Sequence, residues 1–449
     1  MTTRLDIRLQ FSVLSSFRFF ADPAVKAFPV ELLADLPRRE TPHGIIRQMP
    51  LGLYVSVPFC RSKCTYCNFA SGVNSQSIFD RYIDRLCCDL QSADHFASEI
   101  GATLDRTIDS IYFGGGTPTI LEISQFERLF VTISQNFQVA ADAEITIECA
   151  PGTLDDSRLD VLQRCGVNRI SLGVQSFVDR EAASVARLHN RTTVLDDIRR
   201  LRAAGISNIN VDLIAGLPHQ TSASWEFSVS ETLATQVPHV SVYMLEVDAD
   251  SRLGRELIAG GTKYHAHFVP DDDLIADLYE MACDRLVAAD ILQYEISNFV
   301  RPGFKSRQNL KYWTRQPYLG FGVDAHSMLL SASAPAEAVR FSAPDSLDHY
   351  LAGRDVRITP VSRASALEES FFLGLRLNQG VDLVEIESQY GPDDVRRFSQ
   401  VIAHFTHAGL LSRESNVLRL TRRGRLLSNE VFQGFISGSN ESQAAEVAL

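Results

Sequence analysis

The sequence predicts an α/β protein: a partial or full (β/α) barrel of the TIM type, followed by a small helical, winged-helix-like domain. Six apolar runs rich in β-branched residues recur between residues 53 and 247 with helical patterns between them. That alternation is the signature of buried parallel strands joined by crossover helices. The runs deliver glycine, cysteine or polar residues at their C-terminal ends, where barrel chemistry sits. From about residue 360, SALEESFFLGLRLNQGVDL, DVRRFSQVIAHFTHAGLL and LRLTRRGRLLSNEVFQGFI alternate helical periodicity with a polar turn and a strand-like run.

The first run, LYVSVPF (53–59), leads into Cys60, Cys64 and Cys67, spaced C-x3-C-x2-C. Three thiolates reach one centre only if the loop curls around it. A structural zinc needs four ligands, and the loop from Arg61 to Ser71 offers no histidine or further non-motif cysteine, so zinc would recruit a remote one. A cubane iron–sulfur cluster is held by up to four thiolates, and three would leave one iron open to a chelating substrate. The second run, SIYFGGG (110–116), continues into Gly114-Gly115-Gly116-Thr117-Pro118. Its spacing matches neither the dinucleotide fingerprint nor the Walker loop. It serves either as a tight turn or as a set of exposed N–H groups that bind a carboxylate.

EITIECAP (144–151) carries Glu148, RISLGVQSF (169–177) carries Gln175, NINVDLIAGLP (208–218) carries Asp212, and HVSVYMLEV (239–247) is the sixth run. A buried carboxylate costs several kcal/mol unless paired. Either Glu148 or Asp212 alone is open to the reading of a carboxylate paired inside the barrel. Together they call for a ligand with an ammonium, a carboxylate and a ribose diol, and Arg187 can take the carboxylate through its two-pronged donor geometry. S-adenosylmethionine is such a ligand.

Bulk properties exclude other classes. With 45% hydrophobic and 22% charged residues the chain is globular, and its net charge of −12 argues against nucleic acid as a partner. No stretch approaches the roughly 18 apolar residues of a membrane span. Eight cysteines in 449 residues are too few for a disulfide scaffold, which points to a cytoplasmic location and to metal or redox chemistry for the cluster.

PFCRSKCTYCNF, GGGTP, GVQSF, ARLHNR, VDLIAGLP, YEISNF and FGVDAHS, in this order, resemble the radical S-adenosylmethionine superfamily and, within it, the HemN/HemW group. The resemblance implies a radical SAM barrel. It also implies a 4Fe–4S cluster on Cys60, Cys64 and Cys67, whose open iron is chelated by S-adenosylmethionine, and reductive cleavage of the sulfonium to a 5′-deoxyadenosyl radical. By the family pattern Tyr54, Gly115, Gly116, Thr117, Glu148, Gln175, Arg187 and Asp212 are the S-adenosylmethionine contacts, with Arg191 the rival of Arg187. Coproporphyrinogen dehydrogenases of this group carry a further cysteine where this chain has Phe69; HemW-type heme chaperones do not, and the sequence sides with them. Heme or porphyrin, a hemoprotein acceptor and an electron donor such as flavodoxin or ferredoxin are the implied partners, and a homodimer is allowed. A radical enzyme acting on an unrelated substrate is the third class.

HemW-like proteins tend to carry H-N-x-x-Y-W, proposed to take part in heme binding, whereas this chain reads Gln308-Asn309-Leu310-Lys311-Tyr312-Trp313. A carboxamide is a poor ligand for heme iron. Heme binding is therefore expected to be weaker, indifferent to Gln308→Ala and strengthened by Gln308→His. His326 and His189 remain as candidate ligands, against the reading of each as a hydrogen-bonded structural histidine, and Tyr312 and Trp313 as stacking surfaces.

The expected organisation is an extension over 1–48, read as flexible or a start-site artefact with Met49 as alternative start. The barrel and a HemN-type extension follow over 49–330, then an alanine-, serine- and proline-rich linker over 331–359, a C-terminal helical domain over 360–437 and a tail over 438–449. A transit peptide is the minor reading of the extension, weakened by Asp6 and Asp22. The acidic balance favours a lid or docking role for the C-terminal domain over DNA binding.

Overall fold

The computed structural model describes residues 49–353 and 356–436. The expectations for residues 1–48 and for the tail lie outside them. The six predicted strands are β1 (Leu51–Val57), β2 (Thr107–Gly115), β3 (Gln138–Cys149), β4 (Arg169–Gln175), β5 (Asn208–Ala215) and β6 (His239–Met244), each parallel to the next. All seven residues of β1 are buried, as expected of a strand covered on both faces. Helices fill the crossovers, including Gln76–Gln91, Ile123–Asn136 and Arg191–Ala203. Local sequence starts them: Asn190 accepts from the N–H of Thr193, and Thr221 with Ser224 forms a reciprocal cap.

The sheet goes beyond the six strands without closing. β7 (Asn298–Val300) runs antiparallel beside β6. On the other side of β1 lies β8 (Tyr318–Phe321), also parallel, followed by antiparallel β9 (His326–Ser331), β10 (Ala338–Ser342) and β11 (Arg357–Val361). The order β11-β10-β9-β8-β1-β2-β3-β4-β5-β6-β7 leaves both ends unjoined, so the barrel is partial.

The segment 331–359 is not a spacer: β10 and the first residues of β11 belong to this sheet. Its composition conceals an alternation in which Val339 and Phe341 point into the barrel core, with Phe341 packing edge-on against Phe96 at 5.2 Å between ring centroids. Arg340, between them, faces the C-terminal domain.

That domain has helices at Arg363–Gly374, Leu383–Tyr390 and Ser399–His407 and a hairpin of Leu411–Glu414 with Val417–Leu420, which is the wing the sequence predicts. Phe371, Phe398 and Phe435 stack at its centre. Its core is continuous with the barrel edge through Ile296, Tyr312, Trp313 and Tyr318. Glu369 is shared by Arg315 at 2.8 Å and Arg340 at 3.1 Å, all three largely buried. Removing that carboxylate leaves two guanidiniums facing one another without compensation. Glu369→Gln should lower unfolding free energy in urea by about 3–5 kcal/mol. Arg422→Ala, which loses only the half-exposed pairs to Glu280 and Asp284, should stay within about 1 kcal/mol of wild type.

Candidate functional site

The cysteine loop leaves β1 as a closed noose. Cys60 N–H donates to Gly72 O and Gly72 N–H to Pro58 O, each at 2.9 Å, so residues 60–72 begin and end at the same point above the sheet. The glycine run at the end of β2 packs under that root: Gly116 N–H donates to Val57 O at 2.9 Å and Thr117 N–H to Phe59 O at 2.7 Å. A Cβ on Gly116 would lie 2.6 Å from Phe59 O, and Gly115 has φ of 100°. These positions need glycine for close approach and for a left-handed backbone.

The loop caps a cavity of about 270 Å³ at the C-terminal ends of the parallel strands. Cys60, Cys64 and Cys67 line it, and so do Tyr54, Gly115, Gly116, Thr117, Glu148, Gln175, Arg187 and Asp212. Thr117 Oγ1 lies 3.8 Å from Cys60 Sγ and Arg187 Nη1 3.5 Å from Cys64 Sγ. Arg191 is elsewhere, paired with Glu231 at 2.8 Å on the surface. Gln175 holds a left-handed φ of 68°, a conformation that costs an ordinary residue of order 1–3 kcal/mol and marks a constrained position.

The electrostatics are those of a site built for charge. Glu148 accepts from Tyr112 Oη at 2.9 Å and from Gly115 N–H at 3.2 Å. Burial, only partly offset by the Tyr112 hydroxyl, pushes its carboxyl up to about 7, and the Asp212 charge adds to the rise. Asp212, bonded to Ser171 and Asn210, is also raised by burial. Burial lifts the Cys67 thiol to about 11, so a cation must expel its proton before sulfur can ligate. Nε of Arg187 is buried and makes no hydrogen bond among the described residues.

This donor set fits the groups that the sequence implies. Three thiols face one cavity beside a guanidinium with an unused donor and carboxylates that lack a cation, which suits a cluster with an open iron and a zwitterionic ligand. Among the described residues no three His, Cys, Asp or Glu side chains converge as a single-ion site.

The cavity also takes in residues that sequence reasoning left out. Tyr112 reads as one more apolar residue of its strand. Glu246 lies just past β6, and its Oε2 is buried without a hydrogen-bond partner; burial, then the nearby Asp248, raises it to about 7. The strand-end rule that singled out Glu148 and Asp212 points to it as well.

Three expectations about heme need correction. Gln308 is 1% exposed and fully engaged: it accepts from Ser110 Oγ at 2.8 Å and donates to Tyr312 Oη at 2.9 Å. It borders the cavity as a strut between β2 and Tyr312, and the case for gaining heme affinity through Gln308→His loses its basis. Trp313 is buried in the C-terminal core with the Arg376 guanidinium 4.2 Å above its ring, so it offers no stacking face. His189 is buried with Nε2 3.0 Å from Val174 O, and burial pushes it down to about 4. Tyr312 does face the cavity. His326, pushed down to about 4 by burial and then Arg340, borders a smaller neighbouring cavity of about 50 Å³.

Comparison with known proteins agrees with this architecture. The profile of the Radical SAM superfamily matches residues 54–230 and that of the HemN C-terminal domain residues 361–427. The chain is 33% identical over 393 residues to the Heme chaperone HemW of Lactococcus lactis, covering 87% of this chain and 98% of that one. It is 32% identical to the Heme chaperone HemW of Bacillus subtilis, covering 85% and 98%. The structure of Escherichia coli coproporphyrinogen III oxidase (HemN), described as a radical SAM enzyme, superposes with a TM-score of 0.73 at 25% identity, over 87% of this chain and 90% of that one. The noose of cysteines over an open barrel, the C-terminal domain and the extent of these matches together show that the chain belongs to the radical S-adenosylmethionine superfamily and, within it, to the HemW family.

Proposed function

We propose that this protein is a heme chaperone that holds a 4Fe–4S cluster and S-adenosylmethionine in the barrel cavity and passes heme to hemoproteins. The observation that carries the reading is Phe69. Its ring borders both cavities at the place where the dehydrogenases of the group carry their additional cysteine, and the HemW relatives match nearly the full chain. Cys60, Cys64 and Cys67 each hold one iron. Glu148 and Asp212 take the cationic and hydroxyl groups of S-adenosylmethionine, Arg187 its carboxylate, and the Gly115–Thr117 backbone lies against it. Bound and reduced, the cluster supplies one-electron cleavage of a sulfonium. The chain's own part is to orient the ligand, exclude water and hold the charges in register.

A flavodoxin- or ferredoxin-type electron donor, a hemoprotein acceptor and a cytoplasmic location belong to the same reading. So does the C-terminal domain as a docking surface, in a monomer or a homodimer. Among the described residues no helix is long and apolar enough to cross a membrane.

The structural match to HemN favours one second reading, coproporphyrinogen dehydrogenation. Anaerobic incubation of the reconstituted protein with coproporphyrinogen III, S-adenosylmethionine and a reductant separates the two. The chaperone reading expects no decarboxylated porphyrinogen, with heme transfer from loaded protein to an apo-hemoprotein; decarboxylation would overturn it.

Replacing Cys60, Cys64 or Cys67 by alanine should abolish the oxygen-sensitive iron–sulfur absorption. Arg187→Ala or Asp212→Asn should keep the cluster and weaken S-adenosylmethionine binding, by about 1.5–3 kcal/mol for a charged hydrogen bond lost. Unchanged affinity in both would assign these residues to the scaffold alone.

Binding should also depend on pH. Glu148 titrates near 7, and a cationic ligand group favours its ionised form, so the complex binds fewer protons than the free protein. Affinity should rise with pH through about 7 and fall below it, and Glu148→Gln should reduce the slope, leaving the part that belongs to Glu246.

Gln308→Ala removes the partner of Ser110 and of Tyr312. It should lower stability by about 1–3 kcal/mol in urea and leave heme affinity unchanged.

A further inference from the structure

Behind Asp212 the barrel holds a chain of buried polar side chains that ends on a histidine. Asn210 precedes Asp212 by two residues on β5, so both stand on one face of the sheet. Ser171 of β4 and His239 of β6 are in register with Asn210, and Ser241 of β6 is in register with Asp212. Asp212 and Ser171 line the cavity. Asn210, Ser241 and His239 lie beneath it, each no more than 2% exposed.

The chain is closed by hydrogen bonds at every link. Asp212 is held on both oxygens: Oδ1 accepts from Asn210 Nδ2 at 2.7 Å and Oδ2 from Ser171 Oγ at 3.1 Å, which leaves each oxygen a further lone pair for a ligand. Nδ2 of Asn210 also lies 2.8 Å from Ser171 Oγ and 3.0 Å from Ser241 Oγ. At the other end of the amide, Asn210 Oδ1 is 2.6 Å from His239 Nδ1, and His239 Nε2 is 3.1 Å from Tyr294 Oη. Tyr294 is fixed in turn: its N–H donates to Asn298 O, and its carbonyl accepts from Asn378 N–H of the C-terminal domain, both at 3.0 Å.

An amide presents two ends of similar shape, and hydrogen-bond partners decide which way it faces. Only the NH2 end of Asn210 can stand 2.7 Å from an ionised carboxylate oxygen. Its carbonyl end then needs a donor. Ser241 Oγ is 3.2 Å away, but it is closer, at 2.8 Å, to the carbonyl of Asn298, whose own NH2 is spent on Glu295. The donor that remains is His239, which therefore carries its proton on Nδ1 and accepts the Tyr294 hydroxyl proton at Nε2. Burial, then the Arg169 charge, holds the ring well below its ordinary value, so it is neutral and has one proton to place. A reversed amide would set its carbonyl against Asp212 and its NH2 against that ring proton.

We infer that His239 is a positioning residue for the S-adenosylmethionine site: through Asn210 it keeps the Asp212 carboxylate an acceptor, fixed in orientation for the hydroxyl groups of the ligand. It touches no ligand itself. The inference rests on the assignment of Asp212 to S-adenosylmethionine. Packing alone does not require the arrangement, because an apolar side chain of similar volume fills the same place without burying two ring nitrogens and an amide.

Equilibrium binding of S-adenosylmethionine to the full, anaerobically reconstituted chain tests it, with cluster absorption read on every variant. His239→Leu should keep the cluster and weaken binding on the order of tenfold, as for a misplaced hydrogen bond to a charged group. His239→Asn, whose amide can set an N–H where the ring Nδ1–H stands, should recover most of that loss. In a double-variant cycle the loss from His239→Leu should shrink to within about twofold beside Asp212→Ala and persist at about tenfold beside Arg187→Ala, which bonds Cys64 and Gly173 instead. Should His239→Leu fail to fold, Tyr294→Phe, which removes only the hydroxyl on Nε2, carries the same cycle with an expected loss of about threefold. A folded His239→Leu that binds like wild type, a His239→Asn no better than His239→Leu, or a loss that persists undiminished beside Asp212→Ala would overturn the role of His239 and leave the Asp212 assignment standing. Wild type that binds no S-adenosylmethionine, or an Asp212→Ala variant that binds it like wild type, would overturn that assignment and this inference with it.

Discussion

Two backbone hydrogen bonds, from Gly116 to Val57 and from Thr117 to Phe59, hold the end of β2 against the root of the cysteine loop, and the geometry of the cavity follows from them. The contact is possible because residue 116 has no side chain: a single added carbon would meet two carbonyl oxygens inside van der Waals distance. With that approach fixed, the noose over residues 60–72 can only stand above the strand ends. Its three thiols then face the carboxylates of β3 and β5 across one space. The open sheet serves the same end, because a partial barrel leaves room at the rim for the loop and for the segment that brings in Tyr312.

The second constraint is charge. The cavity concentrates Glu148, Asp212 and Glu246 in a setting where burial makes ionisation expensive, and answers them with hydroxyls, amides and the Arg187 guanidinium without fully neutralising them. Such a site is strained in electrostatic terms until a ligand with fixed positive charge enters. The ion pairs that join the C-terminal domain to the barrel through Glu369 and Glu295 do the reverse. They bury carboxylates against matching guanidiniums, as a permanent interface requires.

Most of the fold was legible because parallel strands buried on both faces write themselves as continuous β-branched runs. The residues that end those runs were legible by the same token, and one cavity is lined by the three motif cysteines and by the eight residues that the resemblance assigned to S-adenosylmethionine. The failures have a common cause, which is partners far away in the chain. Gln308 read as a vacant ligand position because Ser110, nearly two hundred residues earlier, is invisible from the motif. Trp313 read as a stacking surface because its cover, Arg376, comes from another domain. The strand β10 was hidden in a stretch whose alanine, serine and proline content outweighs a short alternation of Val339 and Phe341.

The central claim is that three thiolates hold a cluster with one iron left for S-adenosylmethionine. Mössbauer spectroscopy of protein reconstituted anaerobically with isotopically enriched iron, recorded with and without S-adenosylmethionine, tests it most directly. The account predicts a 4Fe–4S spectrum in which one iron of the four separates from the rest when the ligand is added. A spectrum that the ligand leaves unchanged, or an iron content that never rises above a single mononuclear site, would contradict it.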